Sequence, residues 1–333
     1  MTDTAIPARP AQRRRFNVDM RALAPFIALA VLMVVGALVN PDFLNPSNLL
    51  NVVTRSAFIA IIAVGATFVI AGGGLDLSVG AMAAFVAGIM ILTLNRLGAP
   101  DAGTLALGML AALALAAACG LANGLIVTFG RIEPFIVTLG TMGIFRALLI
   151  WLAAGGTITM RNLELREMYR PVYFGSVLGV PVPIIVFLVV AAVAALILYK
   201  TAFGRHVIAL GSNEDVARYS GVPIGRVRTL TYVIQGICVG IAVLVYVPRL
   251  GSATPTTGLL WELQAITAVV IGGTALRGGL GRVWGTVVGA IILEMVANIM
   301  VLSNFVSEFL VGAVQGAIII VAMLVQRSLY RTG

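Results

Sequence analysis

The 333-residue sequence is poor in charge and in the residues that most enzymes use for catalysis. Charged residues make up 11% of the chain, and histidine and lysine occur once each, at His206 and Lys200. No phosphate-binding loop of the form GxxxxGK[ST] precedes Lys200, and neither HExxH nor G-x-S-x-G is present. These absences exclude an ATPase of the phosphate-loop type. A membrane-embedded enzyme is not excluded, but the sequence shows no catalytic group for one.

Cysteine is also scarce. Cys119 and Cys238 both lie within apolar runs, which suggests neither a disulfide framework nor a metal site. We expect both to be small packing residues. No metal site and no cofactor is predicted.

What the sequence does contain is apolar residues, which form 60% of the chain with a mean hydropathy of +1.06. Soluble domains average about 45–50% apolar residues, and many apolar runs here approach the ~20 residues that cross a bilayer. The prediction is an all-α, polytopic inner-membrane bundle of about ten helices. The predicted spans are 22–40, 52–72, 76–96, 104–128, 134–154, 181–199, 228–247, 263–276, 283–302 and 306–326.

The net charge of +9 is spread over segments that flank these spans. Such a bias sets membrane orientation, so nucleic acid is not a predicted partner. With ten spans and the N-terminus inside, roughly fifteen of the 22 basic residues fall on the cytoplasmic side. The exception is 155–180, where a short surface helix is expected.

The predicted domain organisation is set by this orientation. It consists of a basic cytoplasmic tail at 1–21, a transmembrane domain at 22–327 with a cytoplasmic loop at 200–227, and a cytoplasmic tail at 328–333. Both termini are expected inside.

The stretch AGGGLDLSVG interrupts two apolar runs. We expect Gly72, Gly73 and Gly74 to end one helix, and Asp76 to cap the next by accepting its free N–H groups. The result is a broken helix near 72–76. A similar apolar run with a glycine pair, AVVIGGTALRGGLG, occurs later in the chain and predicts a weak internal repeat.

Few other charges lie within the spans. Besides Asp76 they are Arg146 and Glu294, which either pair with each other or line a cavity. Three ionisable residues within the spans are few for a carrier driven by protons or sodium, which uses such residues to bind or relay the ion.

The polar segment TAFGRHVIALGSNEDVARYSGVPIGRVRT predicts a short helix at about 213–220. Ser212 and Asp215 resemble a capping box, and Glu214 and Asp215 would lie in the first turn. Two interpretations remain open. The helix is either a capped surface connection or a docking element for a cytoplasmic partner.

Several of these segments resemble the ribose-type ABC transporter permeases. GGGLDLSVG is similar to the family signature GG-(I/L)-D-L-S-V-G, and FGRHVIALGSNEDVARYSGV is similar to its cytoplasmic segment. PFIVTLGTM and AVVIGGTALRGGLG also resemble family segments, in the expected order. The sequence departs at Gly74, where a glycine pair is usual, and at Val216, where alanine is usual.

The resemblance implies a subunit of a sugar importer, for a pentose or hexose. Its partners would be a second permease (a copy of itself or a paralogue), a cytoplasmic ATP-binding-cassette ATPase, a periplasmic solute-binding protein and the lipid bilayer. The implied coupling residues are Asn213, Glu214, Asp215, Ala217, Ser220 and Gly221.

Under this resemblance the break would line the substrate path through Gly72, Gly73, Gly74, Asp76 and Ser78, because broken helices are tolerated beside water-filled cavities. Capping and path-lining are compatible. Alternatives are import of a nucleoside, amino acid or signalling furanose by the same architecture, or a self-contained secondary carrier.

Overall fold

The computed structural model describes residues 20–303 and isolated positions beyond them (310, 312–314, 316, 317 and 320). Between 20 and 303 the chain is a helical bundle with two small strand pairs. Its helices are α1 Met20–Val39, α2 Pro46–Ala71, α3 Val79–Leu97, α4 Ala102–Gly130, α5 Pro134–Leu152, α6 Leu163–Tyr169, α7 Pro171–Phe174, α8 Val182–Lys200, α9 Ala202–Ser212, α10 Glu214–Tyr219, α11 Ile224–Leu250, α12 Trp261–Ile271 and α13 Val283–Ser303. The strands are β1 Ile158–Thr159, β2 Ser176–Val177, β3 Val180–Pro181 and β4 Ser252–Ala253.

Within the described residues, 7 helices are long and apolar enough to cross a membrane: α2, α3, α4, α5, α8, α11 and α13. Two shorter apolar helices, Leu23–Val39 and Trp261–Ile271, match two further predicted spans. The all-α prediction is therefore confirmed. The last predicted span, 306–326, and the tails 1–19 and 328–333 lie outside the continuously described residues, so the count of ten stays a prediction.

Local signals explain where several helices begin. The side chain of Asn45 accepts from the N–H of Ser47 at 3.1 Å, ahead of α2, whose first residue is proline. Asp101 accepts from the N–H of Thr104 at 2.7 Å and starts α4. Such caps satisfy N–H groups that have no partner within the helix.

The helix α2 forms the centre of the bundle. Nearly all its side chains from Ser56 to Ala71 are buried, and it packs against α8, α11, α12 and α13. A helix that is apolar all round is stable when neighbours surround it. By contrast, α4 and α5 each leave one apolar side exposed, including Leu110 and Trp151, as expected of helices that meet lipid or another subunit.

The polar segments are more structured than predicted. Residues 200–227 hold two helices, α9 and α10, and the sequence predicted only the second. The short surface helix expected in 155–180 is α6, in which Glu164 and Glu167 are exposed while Leu165 and Tyr169 are buried. The strand pair β1–β4 ties this segment to the chain just after α11.

Candidate functional site

The first break separates α2 from α3, as predicted. The N–H groups of Gly72–Gly74 donate to carbonyls in the last turn of α2 at 2.9–3.0 Å, and Gly73 has φ +82°. Side chains with a Cβ rarely adopt this left-handed conformation. The triple glycine therefore closes α2 with a tight turn.

A second break, between α12 and α13, has the same turn. Gly272, Gly273 and Thr274 donate to carbonyls in the last turn of α12 at 2.9, 2.9 and 3.2 Å, and Gly273 has φ +84°. The N–H of Gly279 donates to the carbonyl of Ala71 at 2.9 Å, so the two breaks are in contact. The weak repeat in the sequence thus corresponds to equal backbone geometry at one end of the bundle, called here the break end.

The capping role predicted for Asp76 is seen at one N–H group. Its Oδ1 accepts from the N–H of Ser78 at 2.8 Å and from the hydroxyl of Ser78 at 2.6 Å. Helix α3 begins one residue later, at Val79, and Ser78 makes no capping bond with its own side chain. Asp76 therefore stabilises the turn before α3 and accepts one of the four free N–H groups at the start of the helix, that of the N-cap residue Ser78.

Asp76 and Ser78 belong to a buried polar cluster that also contains Asn123 of α4. The amide of Asn123 donates to the Ser78 hydroxyl at 2.9 Å. Asp76 Oδ2 and Asn123 Oδ1 are buried and have no hydrogen-bond partner among the described residues. Asn123 was not predicted, because a single asparagine in an apolar run gives no sign of what faces it.

The carbonyl of Leu75, inside the first break, lies close to hydroxyl groups from two other helices. The hydroxyl of Tyr232 in α11 donates to it at 3.2 Å. The hydroxyl of Thr138 in α5 lies 3.5 Å from the same oxygen and donates more closely, at 2.9 Å, to Pro134. Tyr232 therefore holds the backbone of the break by a hydrogen bond, and Thr138 lies beside it.

A cavity of about 820 Å³ opens beside the break. Its wall includes Gly72–Gly74, the loop between α4 and α5, and parts of α9, α10 and α11. The charged residues that line it are Arg131, Arg218, Arg228, Arg277, Glu133 and Glu214. Asp76 and Ser78 are not among its lining residues, so the structure separates the five predicted path residues into a glycine wall and a buried pair behind it.

The short helix α10 adjoins this cavity. Its N-cap is Asn213, in extended backbone, whose side chain accepts from the N–H of Val216 at 3.0 Å. The predicted cap, Ser212, instead ends α9 and donates to Ile208 at 2.8 Å. The capping-box interpretation is wrong because α9 continues through Ser212, which leaves the next residue to take the extended conformation that a cap requires.

The faces of α10 differ in their contacts. Ala217 is buried against the bundle, and Ser220 donates to the carbonyl of Val216 at 2.8 Å. Asp215 and Gly221 are exposed, and so are the apolar Val216 (60%) and the aromatic Tyr219 (92%). The outward surface of α10 is therefore partly apolar.

Glu214 does not point freely into solvent. Its Oε1 accepts from Arg218 at 2.7 Å and its Oε2 accepts from Arg228 of α11. The first contact has helical spacing and is readable from the sequence. The second joins two helices across 14 positions, and no local pattern predicts it.

Arg146 in α5 lies at the opposite end of the bundle. It donates to the carbonyls of Pro255 and Thr257 at 2.7 and 2.6 Å and interacts electrostatically with Glu262. The guanidinium therefore fastens the loop between β4 and α12.

The predicted alternative that Arg146 pairs with Glu294 is not what the structure has. The charges that interact with Glu294 are Arg55 and Arg249. Two charges in separate apolar runs carry no information about their separation in space, so the sequence could not choose between the alternatives.

Comparison with known proteins adds sequence relatives along the whole chain. A family described as branched-chain amino acid transport system / permease component matches residues 48–323. The ribose import permease protein RbsC of Bacillus subtilis is 38% identical over 95% of this chain and 96% of its own length. RbsC of Escherichia coli K12 is 35% identical over 98% of each chain.

One solved structure has a similar fold. It is described as an inward-facing conformation of a metal-chelate type ABC transporter and matches with a TM-score of 0.50 and 14% identity. The match covers 92% of this chain and 99% of the other. At this identity the similarity concerns the fold alone.

Proposed function

This chain belongs to the family of branched-chain amino acid transport system / permease components, and from that premise we propose that it is the permease subunit of an ATP-binding-cassette importer for a monosaccharide. The full-length similarity to ribose import permeases supports a pentose or hexose as the solute. The observation that carries the proposal is the glycine break opening on a cavity at the end of a membrane bundle.

The proposed assembly supplies what the chain lacks. A cytoplasmic ATPase would provide the nucleotide site, since the sequence has no phosphate-binding loop. A periplasmic binding protein would select the solute and deliver it, and a second permease, either a copy or a paralogue, would complete the path. The chain itself would be a multi-pass inner-membrane protein without catalytic activity.

We place the break end of the bundle in the cytoplasm. Four arginines line its cavity, and basic residues are retained on the cytoplasmic side of membranes. This orientation agrees with cytoplasmic termini and ten crossings. The domain limits 22–327, with 200–227 as the coupling loop, are part of the same proposal.

In the proposed path, Gly72–Gly74 present backbone to the solute. Asp76 and Ser78 act from behind, by fixing the shape of the turn through hydrogen bonds of 2.8 and 2.6 Å. Broken helices with exposed backbone are tolerated where they line water-filled cavities. Because the binding protein selects the solute, the path needs few specific polar side chains.

The helix α10 is the proposed contact with the ATPase. Its exposed Val216 and Tyr219 provide apolar area for a cleft, while Ala217 anchors it to the bundle. Glu214 already binds Arg218 and Arg228 within the chain. Docking is therefore expected to depend more on Tyr219 than on the predicted carboxylate Glu214.

The docking proposal predicts that Tyr219→Ala weakens co-purification of the ATPase about tenfold, as truncation of an aromatic anchor at an interface does. The matched control is Phe174→Ala, which also removes an exposed ring (56% exposed) but from α7, outside the break end. Equal recovery of the ATPase with both variants would contradict docking through α10.

The substrate class is tested with the permease, its ATPase and its binding protein reconstituted in nanodiscs. ATP hydrolysis is measured with binding protein loaded with pentoses, hexoses, nucleosides or branched-chain amino acids. Stimulation by one sugar supports the proposal and names the solute. Stimulation by an amino acid would instead favour an amino-acid importer of the same architecture, which the description of the family suggests. Solute uptake without any ATPase would indicate a secondary carrier.

A further inference from the structure

The first three turns of α11 make contacts in two directions. Arg228 donates to Glu214 of α10, and Tyr232, four residues later, donates to the carbonyl of Leu75 in the first break. Residues spaced by four lie on the same face of a helix, about 6 Å apart. One face of α11 therefore connects the proposed docking helix to the break.

The contact between α10 and α11 is a partly buried ion pair. The side chains of Arg228 and Glu214 are 25% and 37% exposed, and Arg218 binds the second carboxylate oxygen. Charge-assisted pairs of this kind are shorter and stronger than neutral hydrogen bonds, and they exceed fully exposed pairs in strength. Displacement of α10 is thus resisted at Arg228.

The contact between α11 and the break is a buried hydrogen bond. Tyr232 is 1% exposed, and its hydroxyl donates to a carbonyl that belongs to neither α2 nor α3. A buried hydroxyl or carbonyl that loses its partner carries the full cost of desolvation. The break therefore tends to follow Tyr232 when α11 moves.

The segment between these contacts is continuous helix, since α11 extends from Ile224 to Leu250 without interruption. Glu214, Arg228 and Tyr232 all line the cavity, together with the glycines of the break. Motion along this route would consequently change the cavity wall itself. Packed side chains, hydrogen bonds and rigid helices of this kind carry coupling between distant sites.

We infer that Arg228 and Tyr232 are positioning residues that transmit displacement of α10 to the first break, and we call this pair the relay. This inference rests on the proposed function, since it assigns the mechanism by which ATPase motion reaches the path. Neither residue touches the solute in this role. Arg228 holds α10, Tyr232 holds the carbonyl of Leu75, and the helix between them sets their spacing.

The first experiment measures solute moved per ATP hydrolysed by the reconstituted complex. Tyr232→Phe removes only the hydroxyl, and we expect the ratio to fall about fivefold, the size of effect that one buried hydrogen bond produces. Glu214→Gln should lower the ratio by a similar factor. Because both act on one route, the double variant should be no worse than the more affected single variant.

The matched control is Thr229→Val. Thr229 lies between the two relay residues on α11, and its hydroxyl contacts Thr128 and Gly124 of α4 at 3.1 and 3.3 Å. This variant also removes a hydroxyl from the same turn, but outside the route. A ratio for Tyr232→Phe equal to that of Thr229→Val, or effects of Glu214→Gln and Tyr232→Phe that multiply, would overturn the relay.

A second experiment needs the permease alone, in nanodiscs, and so separates failure of the relay from failure of the proposed function. Amide hydrogen exchange is measured in peptides covering residues 72–79. Glu214→Gln should raise exchange there severalfold in the wild-type background and add nothing in the Tyr232→Phe background. Unchanged exchange in Glu214→Gln would refute the relay, whatever the ATPase assays give.

Discussion

The two breaks in this bundle share a backbone turn but differ in the residues that come after it. In the first, residues 72–78 return quickly to helix, and Asp76 and Ser78 are buried with Asn123. In the second, residues 272–282 form a longer loop with an exposed Arg277. Equal turns thus lead to a buried polar cluster in one case and to a basic surface loop in the other.

The comparison separates two roles of sequence. The glycine pair sets the local turn, because both breaks use the same hydrogen bonds and nearly the same φ at Gly73 and Gly273. The residues after the turn decide whether it meets solvent or the interior. Under the proposed function, the first break is therefore expected to gate the path and the second to support it, since its Gly279 N–H donates to the carbonyl of Ala71.

The largest expected difference between the breaks concerns their first glycines. A Cβ on Gly272 would lie 2.4 Å from the backbone of Gly285, whereas a Cβ on Gly72 would lie 3.3 Å from the nearest atom, the carbonyl oxygen of Phe68. Gly272→Ala should therefore cost about 3 kcal/mol or more, because the backbone of Gly285 must move to admit the new Cβ. Gly72→Ala should cost about 1 kcal/mol or less, because its contact needs only a small shift.

This prediction is checked by the fraction of monodisperse protein left after heating in detergent. Gly72→Ala serves as the matched control for Gly272→Ala. Equal loss for the two variants would show that both breaks pack equally tightly, and the division of roles would fail.

A smaller difference is expected for the polar side chains. Asp76→Ala leaves the buried N–H and hydroxyl of Ser78 without an acceptor, which should cost about 2–4 kcal/mol. In the second break, Thr274 Oγ1 accepts from the N–H of Arg282 at 2.9 Å. Thr274→Val removes the acceptor of this backbone N–H, and a smaller loss of about 1 kcal/mol is expected.

Asp76→Asn sharpens this test, since it keeps Oδ1 and removes the charge. Stability close to that of the wild type is expected, measured by the same heating assay, with transport retained. If Asp76→Asn folds but does not transport, the carboxylate acts in the path itself and not only in the turn.

The smallest difference is expected between Gly73→Ala and Gly273→Ala. Both residues have φ above +80°, and forcing an alanine into that region costs about 1–2 kcal/mol. The two losses of stability should agree within about 0.5 kcal/mol if the turns are equivalent. A larger difference between the two stability losses would mean that the turns differ in backbone strain although their hydrogen bonds are the same.

The sequence predicted well those features that depend on neighbouring residues. Apolar length identified the spanning helices, glycine at 72–74 identified the break, and the run from Asn213 to Ser220 identified α10 within one residue at each end. Each of these depends on caps, turns or hydrophobic length, which act over a few positions.

The sequence failed where the outcome depends on distant packing. Asn123 lies 45 positions from Ser78, and Tyr232 lies 157 positions from Leu75. Ser212 was misassigned because α9, which the sequence did not predict, uses it. The capping prediction for Asp76 was met at one N–H group and not at several, because α3 begins at Val79 and the carboxylate reaches only the N–H of Ser78.

The burial of both cysteines has a practical consequence. Cys119 and Cys238 are 6% and 5% exposed, and the sequence contains no others, so a water-soluble thiol reagent meets little reactive sulfur on the folded chain. A single Tyr219→Cys or Val216→Cys variant would then carry a fluorophore or spin label on α10 without prior removal of native thiols. The wild-type chain can therefore serve directly as the background for site-specific labelling of α10.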